Sequence, residues 1–236
     1  MFEPFKVEAL STFAGDIDNV IVLITVLVGF WFIVAQAALI GFCIRFRRRD
    51  GHKARYISGH EKSEMRWITI PLVLIVACDV YIAMVDGPVW TKVKENLPEP
   101  DRIVRVIGQQ WAWTFVHPGQ DGKLDTPDDI TTVGDLHVEV SKVYHFELSS
   151  RDVLHSFSIP VFRLKQDAIP GRTIVGWFEA TRAGTHDIQC TEICGIGHGL
   201  MPARIEIETP EQHAAWVAER SQTLLASTTL LRAGQE

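Results

Sequence analysis

The chain has 236 residues, 47% of them apolar, and a formal net charge of −6. That is length for one ordinary domain and something extra, and the acidic balance disfavours a nucleic-acid partner, which would call for a basic patch. The apolar residues are unevenly spread, and after residue 91 no stretch is long enough to cross a bilayer.

Residues 1–16 read as an N-terminal outer segment, and the stretch before the first apolar run is acidic, with Glu3, Glu8, Asp16 and Asp18 against Lys6. Residues 20–44, VIVLITVLVGFWFIVAQAALIGFCI, carry no charge and only Thr25 and Gln36 as polar breaks. They would span about 37 Å as a helix, more than the ~30 Å hydrocarbon core of a bilayer. A cleaved signal peptide fits poorly: the run is too long, no basic segment precedes it, and no small-residue cleavage site follows it. Residues 67–90 form a second, less clean run with Pro71, Asp79, Asp86 and Pro88, bracketed by Trp67 and Trp90 as interfacial anchors. The sequence predicts a transmembrane hairpin over 17–90, with helices at about 18–44 and 67–90.

The connecting loop, 45–66, sets the orientation. Arg45, Arg47, Arg48, Arg49, Lys53 and Arg55 lie in it, with Lys62 and Arg66 at its end, against Asp50, Glu61 and Glu64. The positive-inside rule puts this loop in the cytoplasm, and both termini and the whole of 91–236 outside. The expected location is a bacterial plasma membrane with the larger part facing the periplasm or the exterior. From Glu99 onward there are 19 Asp and Glu against 12 Lys and Arg, so a basic protein partner is allowed.

Residues 91–101 read as a polar, Pro-containing linker. From 102 to 209 the pattern turns to short segments rich in β-branched and aromatic residues: Ile103–Ile107, Trp111–Val116, Leu136–Val140, Val143–Leu148, Thr173–Glu179, Gly184–Gln189 and Ala203–Glu208. Alternation is plain in LHVEV and RIEIE. These features predict an antiparallel sandwich or Greek-key barrel. Residues 210–236 form a C-terminal helix and tail, with Thr209 as its cap and Pro210 in its first turn.

Four cysteines divide by place. Cys43 and Cys78 lie in the membrane runs and read as small buried residues. Cys190 and Cys194 lie in QCTEICGIGHGLMP, with His198 and Met201 just beyond. Two thiolates, an imidazole and a thioether so close together are soft ligands that favour copper over hard cations. A single blue-copper site needs one thiolate; the second has a use if both bridge two copper ions, each with one His and one weak axial group. His155, in RDVLHSFSIP, would supply the second imidazole, and the Glu192 carbonyl the second axial group. A Cys190–Cys194 disulfide and a zinc site are the competing readings.

CTEICGIGHGLM resembles the copper-A loop of cytochrome c oxidase subunit II, a member of the haem–copper oxidase family, at every fixed position of Cys-x-Glu-x-Cys-Gly-x-x-His-x-x-Met. DVLHSFSIPVFRLKQDAIPGR, the aromatic segment GQQWAWTF, and Glu64 followed by WITIP also look like that family. The likeness covers most of 17–220. It implies a two-helix transmembrane hairpin followed by an all-β cupredoxin-like Greek-key domain. It implies a copper-A pair held by His155, Cys190, Cys194, His198 and Met201, and by the Glu192 carbonyl, with the Glu192 carboxylate on a magnesium ion shared with subunit I. Trp111 matches the residue through which electrons arrive from cytochrome c, and Glu64 the carboxylate at the cytoplasmic mouth of a proton channel. Implied partners are subunit I, which carries haem and copper-B, then subunit III, a cytochrome c and the lipid bilayer. The implied activity is respiratory electron transport as part of a proton-translocating oxidoreductase that reduces oxygen to water. No catalytic residue falls in this chain.

On the residues alone, Trp111 reads as a core aromatic and Glu64 as a solvated loop charge. Asp79 lies midway along the second run, where a charge is expensive, and matches no family motif. GQDGKLDTPDDI (119–130) reads as a hairpin loop rather than a calcium loop, whose ligand order it lacks. The absence of Cys-x-x-Cys-His argues against a fused c-type haem. The alternatives are a copper-A subunit of a nitric oxide reductase and a membrane-tethered copper-delivery protein. A quinol oxidase subunit typically lacks the copper ligands.

Overall fold

The computed structural model describes residues 7–53 and 56–233. Residues 1–6 of the acidic N-terminal segment, 54–55 of the basic loop and 234–236 of the tail lie outside the described residues. The chain forms two units, 16–91 and the combination of the N-terminal segment with 92 onward.

The first unit is two helices. Helix α1 spans Ala14–Arg45 and α2 spans Lys62–Trp90, and both are long and apolar enough to cross a membrane. Hardly any of their side chains are buried within the chain. The polar side chains Thr25 and Thr69 fold back onto carbonyls four residues earlier, Ile21 O at 2.7 Å and Met65 O at 3.0 Å. A π-helical turn, Thr91–Glu95, follows α2 within the expected linker.

The second unit is a β-sandwich of ten strands: β1 (Arg102–Gln109), β2 (Ala112–His117), β3 (Ile130–Val133), β4 (Asp135–Glu139), β5 (Val143–Ser150), β6 (His155–Ile159), β7 (Leu164–Ala168), β8 (Ile174–Glu179), β9 (Gly184–Cys190) and β10 (Ala203–Glu208). One sheet has the order β3-β2-β1-β5-β8 and the other β4-β10-β9-β6-β7. Neither is the purely antiparallel sheet that the strand pattern predicts: β1 pairs with β5 and β4 with β10 in parallel. Each such pair is far apart in sequence, so a long crossover replaces the hairpin that antiparallel neighbours use.

Aromatic rings fill the space between the sheets. Phe157 touches Trp113, Phe146 and Phe115 at centroid distances of 5.4, 5.8 and 6.3 Å, and all four are fully buried. Gly176 makes room for this layer, because a Cβ there would lie 2.3 Å from the Phe146 ring. Each such ring contributes about 1.5–3 kcal/mol by leaving water.

The N-terminal segment is part of the same body. Leu10 N donates to Val161 O and Thr181 N to Leu10 O, and Ser11 Oγ donates to Phe162 O. The Phe13 ring meets Trp177 edge-on at 5.1 Å, and the Trp177 indole N–H donates to Val93 O at 3.2 Å. Trp177 thus joins the residue before α1 to the segment after α2.

Helix α3 (Pro210–Ala233) packs against β4, β10 and β3. Its start is a reciprocal cap: Gln212 N donates to Thr209 Oγ1 and Thr209 N to Gln212 Oε1.

Candidate metal centre

The site sits where β6 begins, β9 ends and β10 has yet to start. β6 is buried along its whole length, and its first residue is His155. The ring is caged: Gly108 lies within 3.2 Å of it by its projected Cβ, and Trp113 faces it at 5.9 Å. β9 delivers Cys190 at its last position, with Phe157 opposite it in the register. The chain then turns through 191–202, held by Thr191 N to Ser156 O at 3.0 Å. A single helical turn, His198–Leu200, returns it to β10.

These elements bring the predicted donors into one row. His155 Nδ1 is 3.9 Å from Cys190 Sγ, Cys190 Sγ is 3.8 Å from Cys194 Sγ, and Cys194 Sγ is 3.7 Å from His198 Nδ1. Met201 Sδ lies 3.4 Å from Cys194 Sγ, and the Glu192 carbonyl oxygen 3.3 Å from Cys190 Sγ. The ligand atoms of His155, Cys190 and Cys194 all fall within 4.8 Å of one another. The cysteines are free thiols, far from the ~2.05 Å of a disulfide.

The donor set fits copper. A metal ion about 2.3 Å from each of two sulfurs would see a pair 3.8 Å apart at a near-tetrahedral angle. One imidazole lies beside each sulfur, so the row has two ends, each with a His and a weak donor. Burial and the neighbouring Cys190 push the Cys194 thiol up to about 11. Two thiolates this close therefore need a cation between them, and soft ligands of this kind suit copper.

Asp152 is a further residue of the site that the motif does not include. His155 Nε2–H donates to Asp152 Oδ1 at 2.9 Å, which fixes the tautomer and leaves Nδ1 bare toward Cys190. Desolvation raises the Asp152 carboxyl, but bonds from Gln110 N at 2.7 Å, from His155 and from Val153 N outweigh it and hold it below its ordinary value. Its signals in the sequence are its place three residues before a candidate His ligand and at the head of the family-like stretch DVLHSFSIPVFRLKQDAIPGR.

Trp111 is 39% exposed, so it is not the core aromatic that the residues alone suggest; Trp113 fills that role. The Trp111 indole covers Gly195 and Gly197 of the loop, and a Cβ on Gly197 would come within 2.3 Å of its ring. Gln110 Nε2 donates to Cys194 O at 2.8 Å. The Gln110–Trp111 peptide is cis.

Glu64 is elsewhere, in the first turn of α2. Its carboxylate accepts from Gly59 N at 2.8 Å and Ser58 Oγ at 3.3 Å, and so closes the end of the basic loop. In the Asp-rich loop the carboxylates are used locally: Lys123 N donates to Asp121, Asp125 N to Asp129, and Arg105 pairs with Asp125 at 2.9 Å. The loop joins β2 to β3.

A second cluster has no counterpart in the sequence motifs. His137 Nδ1 and His213 Nδ1 each lie 2.8 Å from a different oxygen of Glu208, and Trp216 stacks on His137 at 4.2 Å. His117 lies beneath, with Nδ1 toward Ile130 O and Nε2 accepting from His137 N. This cluster fastens α3 to β10 and β4.

The sequence profile described as cytochrome c oxidase subunit II, periplasmic domain, matches residues 102–208. The chain is 31% identical to the alternative cytochrome c oxidase subunit 2 of Bradyrhizobium diazoefficiens, over 93% of this chain and 86% of that protein. It is 30% identical to cytochrome c oxidase subunit 2 of Thermostichus vulcanus over 89% and 76%, and 30% identical to the probable cytochrome c oxidase subunit 2 of Rickettsia felis over 80% and 63%. The crystal structure of the periplasmic domain of subunit II of the Bradyrhizobium japonicum cytochrome oxidase superposes with a TM-score of 0.49 at 30% identity, over 55% of this chain and 99% of that one.

Proposed function

The chain belongs to the cytochrome c oxidase subunit II family, and from that premise we propose that it holds a copper-A pair and accepts electrons from a cytochrome c. It is a membrane-anchored subunit of a haem–copper oxidase, and its family implies a complex with subunit I. Subunit III is a further partner in this reading. Oxygen is reduced to water in subunit I, with proton pumping.

The observation that carries the reading is the row of donor atoms from His155 through Cys190 and Cys194 to His198, closed by Met201 and the Glu192 carbonyl. When bound there, the copper pair supplies a one-electron store whose charge is shared over two metals and two sulfurs. The protein's part is to hold the ligands still. β6 and β9 fix His155 and Cys190 as strand residues, and Asp152 orients the His155 ring. Cys194 and Met201 are buried to 3% and 2% exposure, which keeps water off the sulfurs.

Trp111 is assigned to the docking face. Its exposed indole rests on Gly195 and Gly197, next in the chain to Cys194 and His198, so a redox partner that touches the ring is one packed layer from the sulfurs. The Glu192 carbonyl faces Cys190, and its carboxylate is assigned to a magnesium ion shared with subunit I; Mg²⁺ takes few protein carboxylates and fills its shell from other sources. Glu64 is assigned to the cytoplasmic mouth of a proton channel. The basic loop sets the orientation, with the sandwich outside the bacterial plasma membrane. The joint made by Phe13, Trp177 and Val93 supports that reading, because the segments flanking the hairpin belong to one packed body.

Purification of the native complex tests this. Two copper ions per chain are expected, with the hyperfine pattern of one unpaired electron shared by two like nuclei. One copper, zinc, or a cystine at 190–194 would overturn it. Oxygen consumption against nitric oxide consumption separates an oxidase from a nitric oxide reductase.

A further inference from the structure

We infer that Asp79 is the point at which α2 docks on the neighbouring membrane subunit, opposite a hydrogen-bond-donating side chain at the middle of the bilayer. The inference rests on the reading of the chain as a subunit of a membrane oxidase.

The first observation is depth. Asp79 is twelve residues from Trp67 and eleven from Trp90, the two aromatic anchors of α2. A rise of roughly 1.5 Å per residue places it about 17 Å from either anchor, near the centre of the hydrocarbon. An acidic side chain there is costly unless it meets a partner.

The second is that no described residue of the chain forms a hydrogen bond or ion pair with the Asp79 side chain. A carboxylate only accepts hydrogen bonds, and the helix N–H groups around it are spent within the helix. The span of α1 from 19 to 44 contains no Lys, Arg or His. The threonines of both spans, Thr25 and Thr69, already donate to their own helices. Neither the Trp31 indole N–H nor the Gln36 amide, the side-chain N–H donors of α1 within 20–44, bonds to Asp79 in the structure, and Gln36 is also set apart in depth. It lies sixteen residues inside Val20, against eleven for Asp79 inside Trp90. In an antiparallel hairpin their depths differ by about 7 Å. Asp79 is exposed on α2, whose side chains are not buried within the chain.

The third is the face that Asp79 marks. Asp86 lies two turns further on, on the same side, four residues inside Trp90. That stripe is the poorest match to lipid on the whole hairpin. Acyl chains give a carboxylate nothing, whereas a membrane helix with a donor at the right depth gives it a strong hydrogen bond. The occupant is therefore a transmembrane helix of the partner subunit, carrying a basic, amide or hydroxyl side chain at mid-bilayer.

The two environments predict opposite responses to Asp79→Leu. A lipid-facing position gains from the change. A partner-facing one loses, because an apolar side chain leaves a buried donor unpaired. The full complex is purified through subunit I from cells carrying wild type, Asp79→Leu or Asp79→Asn, and challenged with increasing detergent. Asp79→Leu should release subunit II roughly five- to thirtyfold more readily, on the scale of one interhelical hydrogen bond. Asp79→Asn, which keeps an acceptor oxygen, should recover most of the retention. Copper in the released chain should match wild type, which shows that the sandwich is folded. Equal retention of Asp79→Leu and wild type would overturn the inference alone. Haem-bearing subunit I that carries no wild-type chain even before the detergent challenge would overturn the oxidase reading with it.

Discussion

His155 and Asp152 are joined by a 2.9 Å hydrogen bond from the ring Nε2–H to Oδ1, and the other ring nitrogen is thereby turned toward Cys190. The carboxylate is itself gripped by Gln110 N and Val153 N. Asp152→Ala removes the orienting bond and keeps every metal donor. Copper affinity should fall about 10- to 100-fold, the usual effect of losing such an outer partner. Competition against a copper chelator, on the full chain in detergent, measures this. An unchanged affinity would mean that packing against Gly108 and Trp113 alone positions the ring.

Trp111 and Trp113 are two residues apart and take opposite fates, the first 39% exposed and the second fully buried. Trp113→Ala should cost about 3–5 kcal/mol by opening a core cavity. Trp111→Ala should change stability by about 1 kcal/mol or less. It should nevertheless slow electron uptake from cytochrome c, with the copper spectrum intact. Gly197→Ala gives an independent check, since its methyl would drive into the Trp111 ring and displace it without removing it. Normal turnover in both variants would take Trp111 out of the docking face.

Much of this architecture is legible in the amino-acid pattern, and the gaps have physical causes. The membrane helices follow from unbroken hydropathy, and β4 and β10 from alternation that shows which face is buried. β6 escapes pattern reading because it is buried on both faces and carries Ser156 and Ser158, so it has no alternation to find. β7, Leu164–Ala168, is a polar edge strand of its sheet, and β3 is hidden in the end of the Asp-rich loop. The parallel pairs β1–β5 and β4–β10 depend on which distant strand is chosen, and local pattern does not encode that. The metal ligands are legible because four of the five side-chain donors fall within residues 190–201. The His117, His137, Glu208, His213 and Trp216 cluster is not, because its members come from β2, β4, β10 and α3 and meet only on folding.

Glu64 closes the turn into α2 through Gly59 N and Ser58 Oγ. Substitutions there must separate charge from loop geometry. Glu64→Gln keeps an acceptor oxygen for both bonds and removes the charge. A role at a proton channel predicts slower turnover in Glu64→Gln, with copper content and subunit assembly unchanged. Glu64→Ala should add a local effect, readable as faster hydrogen exchange at Gly59. If Glu64→Gln turns over normally and only Glu64→Ala exchanges faster, the carboxylate is a structural cap.

His117 gives the outer unit a definite response to acid. It is 2% exposed, and both ring nitrogens are spent, Nδ1–H on Ile130 O and Nε2 as acceptor from His137 N. Burial is the main reason that its pKa falls from 6.5 to about 3. The unfolded chain therefore binds one more proton than the folded chain between those values. The stability this neutral ring brings is complete above 6.5 and drains away as pH falls toward 3, by up to about 1.4 kcal/mol per pH unit. Glu208, held at about 2, adds its own loss only below its ordinary 4.5. Measurements from pH 6.5 down to 5 thus isolate the histidine. His117→Gln, which can still donate and accept, should flatten the fall in unfolding free energy over that window relative to wild type. Identical slopes would show that the proton is taken up elsewhere.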